Sequence, residues 1–143
     1  MQIVGELMTR DVVTLKETQN LSRADELLRL HRIRHLPVLR QGKLVGLVTH
    51  RDLLRAASVH ATDPAAQPLW AADIMTRDVE TVGAEMPLKD AVELMLKHKY
   101  GCLPVVDPSG VLLGILTEAD LVRYARHLIG ELDRREMAAE FNA

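Results

Sequence analysis

The segment LMTRDVVTL at residues 7–15 is repeated as IMTRDVETV at residues 74–82, and this internal repeat is the strongest indication of the fold. The same offset of 67 residues relates LPV at 36–38 to LPV at 103–105. One additional residue in the turn at 107–110 changes the offset to 68 for the rest of the match. Chance similarity would not keep register over this distance, so the chain is a tandem repeat.

A strand-to-helix junction is another shared motif. GLVTHRD at residues 46–52 corresponds to GILTEAD at residues 114–120. Each copy has a glycine and two apolar residues that suit a strand, then a threonine that suits a helix N-terminus, and an aspartate three residues later. The junction is therefore where each repeat groups polar side chains at a predicted helix start.

The hydrophobic periodicity changes several times within each repeat. In the first, it predicts a β-prone stretch at 12–15, a helix at 21–31, strands at 36–39 and 44–48, and a helix that opens at Thr49. The second repeat has the corresponding elements at 79–82, 87–98, 103–106 and 112–116, and a helix from Thr117 to residue 128. Two repeats are too few for a solenoid. We therefore predict a mixed α/β (α+β) fold of two β-α-β-β-α units packed about a pseudo-twofold axis.

The predicted organisation has four parts. Repeat one covers residues 1–61 and repeat two covers residues 70–128. The linker at 62–69 contains two prolines, which is typical of a connection. The tail at 129–143 is charged and rich in helix formers, so we expect a helix on the outside of the module or one that contacts a partner.

Composition argues against several classes of protein. The 143 residues include 18 Lys and Arg, 20 Asp and Glu, one cysteine and four aromatic residues, with a net charge of −2. This balance gives no basic surface for nucleic acid, and so few aromatics give no base-stacking platform. The apolar runs are too short to cross a bilayer, and the first residues lack the pattern of a signal peptide. Because the single cysteine cannot pair within the chain, we expect a cytoplasmic protein. From the charge balance, the few aromatics and the short apolar runs, we expect no nucleic-acid partner and no membrane partner.

The two halves of the chain differ in charge. Residues 1–67 carry a net charge of +3, whereas residues 68–143 carry −5. Four of the six histidines also lie in the first half. We therefore expect the two repeats to have different polar tasks.

The Thr-x-x-Asp spacing of the junctions has two interpretations. It matches a capping box, in which the threonine caps the helix and the acidic residue favours the first turn. It also suits a nucleoside phosphate, because a helix N-terminus beside a hydroxyl can hold phosphate while a carboxylate accepts from ribose hydroxyls. One side chain can do both, so both interpretations stay open.

Taken together, the doubled motifs resemble a CBS domain, named from cystathionine β-synthase, and residues 1–128 resemble a free-standing tandem CBS pair. The resemblance rests on the Met-Thr-Arg-Asp-Val openings, the Leu-Pro-Val strands and the Gly-x-x-Thr-x-x-Asp junctions, each present twice. It implies clefts between the repeats that bind an adenosine-containing ligand, namely AMP, ADP or ATP, with NAD(H) and S-adenosylmethionine as other members of the class. It also implies a homodimer formed through helical faces.

The same resemblance implies roles for individual residues. Asp52 and Asp120 would bind ribose, and Thr49 and Thr117 would contact phosphate. Adenine would lie among side chains and backbone groups near the first strand and the Leu-Pro-Val strand, which here are Val13, Thr14, Leu36, Pro37, Thr81, Tyr100, Gly101, Leu103 and Pro104.

The two clefts should differ in their affinity for phosphate. Arg34, His35 and Arg51 belong to the first repeat, and the second repeat has uncharged residues at the matching positions. They are therefore candidate phosphate ligands, as fixed or titratable positive charge. The alternative is that the arginines are simply solvated.

Metal and catalytic signals are weaker. His31 and His35, with His98 and Cys102 as counterparts, resemble half of a zinc site, but each pair straddles a predicted helix end. The sequence contains no P-loop or glycine-rich dinucleotide motif, and no Ser/His/Asp or Cys/His arrangement is supported. We therefore predict no metal, no catalytic residue, no enzyme activity and no required cofactor.

The predicted function is a regulatory module that binds an adenosine-containing ligand between its repeats and signals to an unidentified effector protein. The ligand would favour the packing of the repeats, or of the homodimer, that binds it better. Two alternatives stay open, a protein-interaction or dimerisation scaffold without a physiological nucleotide and a nucleotide hydrolase.

Overall fold

The computed structural model of the chain describes residues 1–63 and 69–142, without the side chains of residues 60–62. Most of the predicted linker at 62–69 and the last residue of the tail lie outside the described residues. In chain order, the helices and strands are α1 (Val4–Leu7), β1 (Leu15–Lys16), α2 (Leu21–His31), β2 (His35–Arg40), β3 (Lys43–Thr49), α3 (His50–Thr62), α4 (Ala71–Ile74), α5 (Leu88–His98), β4 (Cys102–Val106), β5 (Leu112–Thr117) and α6 (Glu118–Phe141).

These elements form the mixed α/β fold of two related halves that the sequence predicts. In the first half, β1 pairs in parallel with β2, and β2 pairs antiparallel with β3. In the second half, β4 and β5 form the matching antiparallel pair. Helices α2 and α5 are each followed by a residue with a left-handed backbone, Arg32 with a φ of 52° and Lys99 with a φ of 57°.

The first strand of each repeat is shorter than predicted. The expected stretch at 12–15 yields only the two-residue strand Leu15–Lys16. At 79–82 no strand forms, and Val82 makes a single parallel bridge to β4. Gly83 follows Val82 directly, and a glycine weakens a strand because it has no side chain to pack.

Each half of the molecule has its own hydrophobic core. In core one, the inward residues of β2 and β3 pack against α2, and Leu36 and Val38 are fully buried. In core two, β4 and β5 pack against α5, and Leu103 and Val105 are fully buried. Successive residues of a strand face opposite sides, so the remaining residues of these strands face the other repeat.

The opening segments are exchanged between the halves. Helix α1 begins repeat one, yet Val4 and Met8 are buried in core two. Helix α4 begins repeat two, yet Ala71 and Met75 are buried in core one. The unit that repeats in the sequence is therefore not the unit that completes a core.

Matching backbone hydrogen bonds secure both exchanged segments. Thr9 and Ile115 exchange two bonds with N···O distances of 2.8 and 2.9 Å. Thr76 and Leu47 exchange two bonds of 2.8 and 3.0 Å. The two pairs correspond under the repeat offsets, which gives the molecule its approximate twofold symmetry.

The exchanged segments approach the strands at the two junction glycines. A Cβ added to Gly114 would lie 2.7 Å from the carbonyl oxygen of Thr9. A Cβ added to Gly46 would meet the side chain of Met75 and would lie 3.0 Å from the carbonyl oxygen of Thr76. Glycine at these positions therefore permits the close approach of the opening segments.

A third apolar cluster lies between the two sheets. It consists of Leu47, Cys102 and Ile115, with Val12 and Val79 packed against it. The sheets therefore face each other across this cluster, and the clefts beside it are the places where both repeats can contact one ligand.

The predicted tail is not a separate helix. Helix α6 runs from Glu118 to Phe141 without interruption, so the predicted boundary at residue 128 is not a break in the secondary structure. The large apolar residues beyond this point are more than half exposed, namely Ile129, Leu132, Met137 and Phe141. The described part of the tail is thus the exposed second half of α6.

Candidate functional site

Both strand-to-helix junctions form complete capping boxes. At the start of α3, the Asp52 N–H donates to the Thr49 hydroxyl at 3.2 Å, and the Thr49 N–H donates to Asp52 Oδ2 at 2.9 Å. At the start of α6, Thr117 and Asp120 make the same two bonds at 3.3 and 2.8 Å. The capping interpretation is therefore confirmed at both junctions. Whether a ligand can also bind depends on the acceptor capacity that each aspartate has left.

The Asp120 carboxylate is buried and fully occupied. Its Oδ1 accepts from the Thr9 hydroxyl at 2.8 Å and from Arg123 Nη2 at 2.7 Å. Its Oδ2 accepts from the backbone N–H and the hydroxyl of Thr117 at 2.8 and 3.1 Å. A carboxylate offers about four acceptor positions, so these contacts leave none for a ligand. The residue is only 6% exposed.

The Asp52 carboxylate is half-buried and has acceptor capacity left. Its Oδ2 accepts from the Thr49 N–H, and its Oδ1 has no partner in the part of the chain that the structure describes. Under the repeat offsets, Thr76 corresponds to Thr9 and Arg55 corresponds to Arg123, the two residues that donate to Asp120 Oδ1. Neither makes a hydrogen bond to Asp52 among the described residues, so this carboxylate can accept from a ligand.

A cleft of about 970 Å³ opens beside the first junction. Its walls are the end of α2 with the chain before β2, the start of α3, the opening segment of repeat two, and the chain between α5 and β4. Four of the predicted phosphate ligands line it together, namely Arg34, His35, Thr49 and Arg51. Small-molecule sites usually measure about 300–1,000 Å³, so the cleft has room for a nucleotide.

The charged residues of the cleft lining are Arg29, Arg32, Arg34, Arg51 and Lys99 with Asp25, Asp78, Glu80 and Glu118. Arg29 is already paired with Asp25, at 3.1 Å. Within the described ranges, neither Arg34 nor Arg51 has a carboxylate partner. Two guanidinium groups are therefore available to an anion in this cleft.

His35 lies at the boundary between the two repeats. A Cβ added to Gly101 would be 2.9 Å from His35 Nε2, so the bare glycine makes room for the imidazole. Burial lowers the pKa of His35 below its usual 6.5, while Glu118 opposes this shift and Arg34 adds to it. The imidazole is therefore harder to protonate in the folded protein than an exposed histidine is.

Cys102 also lines this cleft, and its thiol is unreactive. The residue is 6% exposed, and burial raises the pKa of its thiol to about 12. A thiol that stays protonated at neutral pH is a poor nucleophile. The thiol therefore supplies no chemistry to the cleft.

The structure brings part of the predicted adenine set to a cavity. Tyr100 and Gly101 line the large cleft, and Thr81 lines a smaller pocket of about 270 Å³. The side chains outside both cavities are Val13, Thr14, Leu36, Pro37, Leu103 and Pro104. Leu36 and Leu103 are fully buried in the two cores, which turns their side chains away from a ligand.

The remaining predicted residues lie at the junctions. Asp52 does not line the large cleft, but it exchanges two hydrogen bonds with Thr49, which does. Thr117 and Asp120 line neither cavity. Thr49, His50 and Arg51 of the first junction line the large cleft, whereas Glu118 is the residue of the second junction that does, so the first junction contributes more of its wall.

Sequence reasoning missed the contribution of the second opening segment to this cleft. Thr76, Asp78 and Glu80 line it, because the segment crosses to repeat one. Asp78 has a φ of 22°, a strained value for a residue with a side chain. The duplicated opening motif marked this segment, but nothing in the sequence showed which repeat it would contact.

Two further findings concern residues 1–63 and 69–142. No helix there combines the length and the apolar character needed to cross a bilayer. No group of three or more His, Cys, Asp or Glu residues there is arranged to hold a metal ion. The spacing of His31 and His35 does not therefore bring together a metal centre in this part of the chain.

Comparison with known proteins agrees with this architecture. The model of the CBS domain family matches the chain twice, at residues 4–59 and 71–127. AcuB of Vibrio cholerae, named for acetoin utilization, has a TM-score of 0.83 at 36% identity, over 94% of this chain and 97% of its own. CBSX2 of Arabidopsis thaliana in complex with AMP has a TM-score of 0.80 at 32% identity, over 90% of this chain and 98% of its own.

Two further relatives are a ligand-bound CBS domain pair and an enzyme that is much longer than this chain. The CBS domain pair of protein MJ0100, in complex with 5′-methylthioadenosine and S-adenosylmethionine, has a TM-score of 0.75 at 28% identity, over 86% of this chain and 98% of its own. Inosine-5′-monophosphate dehydrogenase of Korarchaeum cryptofilum is 38% identical over 82% of this chain, but the match spans 23% of that enzyme. With its repeats, exchanged openings and doubled junctions, the chain belongs to the CBS domain family as a tandem pair of CBS domains.

Proposed function

We propose that this CBS pair is a non-catalytic regulatory module whose first cleft binds an adenosine-containing ligand. AMP, ADP and ATP fit the chemistry best, and NAD(H) and S-adenosylmethionine belong to the same class. The observation that supports the proposal is the large cleft beside the first junction, which is lined by two guanidinium groups without a carboxylate partner among the described residues and by Thr49, the hydrogen-bond partner of Asp52.

The ribose would interact with the first junction. Thr49 lines the cleft, and Asp52 Oδ1 has no partner in the described part of the chain. Ribose hydroxyls are donors, and a carboxylate oxygen without a partner is a strong acceptor. The first junction can therefore keep its capping box and still accept from the sugar.

The phosphate would interact with the charged side of the same cleft. Arg34 and Arg51 enter the cleft from the chain before β2 and from the first turn of α3. An arginine can bind phosphate through two parallel hydrogen bonds, which gives both affinity and orientation. His35 lines the same cleft and lies against Gly101 of the second repeat, so a phosphate that contacts His35 would bind at the boundary of the two repeats.

Related pairs support this ligand class. CBSX2 is crystallised with AMP, and the MJ0100 pair with 5′-methylthioadenosine and S-adenosylmethionine. All three ligands contain adenosine. We propose that ligand binding shifts the packing of the repeats and that an effector protein reads the shift.

Assembly as a homodimer would provide one way to transmit such a shift. Four helices each expose a large apolar residue by more than half, namely Leu30, Leu54, Leu96 and Val122. A contiguous apolar patch is typical of an interface, whereas single exposed apolar side chains are common on any protein surface. We propose that these helical faces pair two copies of the chain, in the cytoplasm, where the buried Cys102 would stay a free thiol.

Titration calorimetry of the purified chain with AMP, ATP, NADH and S-adenosylmethionine tests the proposed function. We expect at least one ligand to bind more tightly than about millimolar. Arg51→Gln should weaken that binding, whereas Arg126→Gln, an exposed arginine outside the cleft, is the matched control. Absence of binding by all four would favour the scaffold alternative, and release of phosphate from ATP by the pure protein would favour the hydrolase.

A further inference from the structure

We infer that Thr9 and Arg123 keep the second junction closed to ligand and thereby determine that the first cleft fills first. The inference rests on the proposed function, because it concerns which junction accepts the same ligand class. Both residues act through the Asp120 carboxylate, so they are positioning residues.

The backbone at the two junctions is arranged alike. Thr9 pairs with Ile115, and Thr76 pairs with Leu47, through corresponding bonds of 2.8–3.0 Å. The difference lies in the side chains. The Thr9 hydroxyl donates to Asp120 at 2.8 Å, whereas the Thr76 hydroxyl is exposed in the wall of the large cleft.

The Asp120 carboxylate has only about four positions at which it can accept a hydrogen bond. Its Oδ2 is used by Thr117 within the capping box, and its Oδ1 is shared by Thr9 and Arg123. A ribose hydroxyl can reach Oδ1 only if at least one of these two donors leaves. Because hydrogen bonds to a charged group are stronger than neutral ones, this exchange weakens binding at the second junction.

Displacement of Thr9 would also affect the exchanged opening segment. Thr9 follows helix α1 and Met8, which belong to core two. A ligand at the second junction would therefore compete with a contact that holds this segment on repeat two. By thermodynamic reciprocity, loosening the segment would strengthen binding at that junction.

The test measures AMP binding by calorimetry in a chain that carries Asp52→Ala, which weakens binding at the first cleft and so raises the share of the heat that comes from the second junction. Addition of Thr9→Val removes the hydroxyl and keeps the side-chain shape. We expect AMP to bind about tenfold more tightly than in the Asp52→Ala parent, as for the loss of one competing charged hydrogen bond. Thr18→Val, the same change at an exposed threonine outside both cavities, is the control and should leave the affinity unchanged.

A second variant keeps the test decisive if Thr9→Val fails to fold. Arg123 is 58% exposed, so Arg123→Gln removes the charged donor without disturbing a core, and AMP should again bind more tightly. If neither variant tightens AMP binding relative to the control while wild type binds AMP, the inference is wrong and the proposed function stands. If wild type binds no AMP, the proposed function fails for that ligand and the inference fails with it.

Discussion

The two strand-to-helix junctions share a motif, a capping box and a backbone environment, yet they differ in what they can still bind. Asp120 accepts from the side chains of Thr9, Arg123 and Thr117, whereas Asp52 has an oxygen without a partner in the described residues. A short motif therefore supplies the potential ligand-binding group. The residues that the fold brings against the motif then decide whether the group is available.

The largest expected effect comes from removal of the available Asp52 carboxylate. Asp52→Ala deletes the acceptor for the ribose, and the loss of two hydrogen bonds to a charged group should weaken AMP binding by about a hundredfold. Calorimetric titration of the variant against wild type measures this. Asp120→Ala should leave AMP binding at the first cleft unchanged. If Asp120→Ala weakened AMP binding and Asp52→Ala did not, the ribose would belong to the second junction.

The second prediction compares the same two substitutions in the free protein. Asp120→Ala leaves the donors of Thr9, Arg123 and Thr117 without their acceptor, so it should lower the free energy of unfolding by about 3 kcal/mol. Asp52→Ala should cost only about 1 kcal/mol, the usual value of a helix cap. Urea denaturation measures both. Equal losses would mean that the additional contacts of Asp120 contribute nothing to stability.

The third prediction concerns the glycines that admit the opening segments. Gly114→Ala places a Cβ against the carbonyl oxygen of Thr9, so the segment must move and the bond from Thr9 to Asp120 should weaken. We expect a loss of about 2 kcal/mol, as for overpacking. At both glycines the added Cβ also meets a methionine side chain, but at Gly46 the backbone oxygen of Thr76 is 3.0 Å away rather than 2.7 Å, so Gly46→Ala should cost less. Thermal unfolding of the two variants gives the order, and a larger loss for Gly46→Ala would contradict it.

The smallest predicted effect is a pH dependence that belongs to the first repeat. Because the pKa of His35 is lowered, the unfolded chain takes up a proton at this residue before the folded chain does. The free energy of unfolding should therefore fall as the pH drops below about 6.5, through the lowered pKa of the folded state. His35→Gln should reduce this slope in denaturation experiments between pH 7.5 and 5.5. An unchanged slope would assign the pH dependence to other groups.

Much of the fold could be predicted because it follows from periodicity and from internal repetition. Helix α2 has the predicted bounds, and each of the four longer strands lies within two residues of its prediction. Both Thr caps were also predicted from spacing alone. These features depend on neighbours in the chain, and the sequence displays such neighbours directly.

The remaining features depend on contacts between distant residues. Nothing near Thr9 indicates that it would cross to Ile115 and reach Asp120, which is 111 positions away. The corresponding crossing of the second opening segment places Thr76 and Asp78 in the lining of the large cleft. The alternation of their strands buries the side chains of Leu36 and Leu103 in the cores, so only their backbone groups remain for the adenine contact that the family resemblance predicts. Tertiary placement, rather than motif identity, accounts for each of these differences.

A crystal structure of the chain with one molar equivalent of AMP tests the inequality of the two junctions most directly. We predict AMP in the large cleft, with its ribose on Asp52 and its phosphate near Arg34 and Arg51, while the hydroxyl of Thr9 still bonds to Asp120. AMP bound at Asp120 with Thr9 displaced and the first cleft empty would contradict the account.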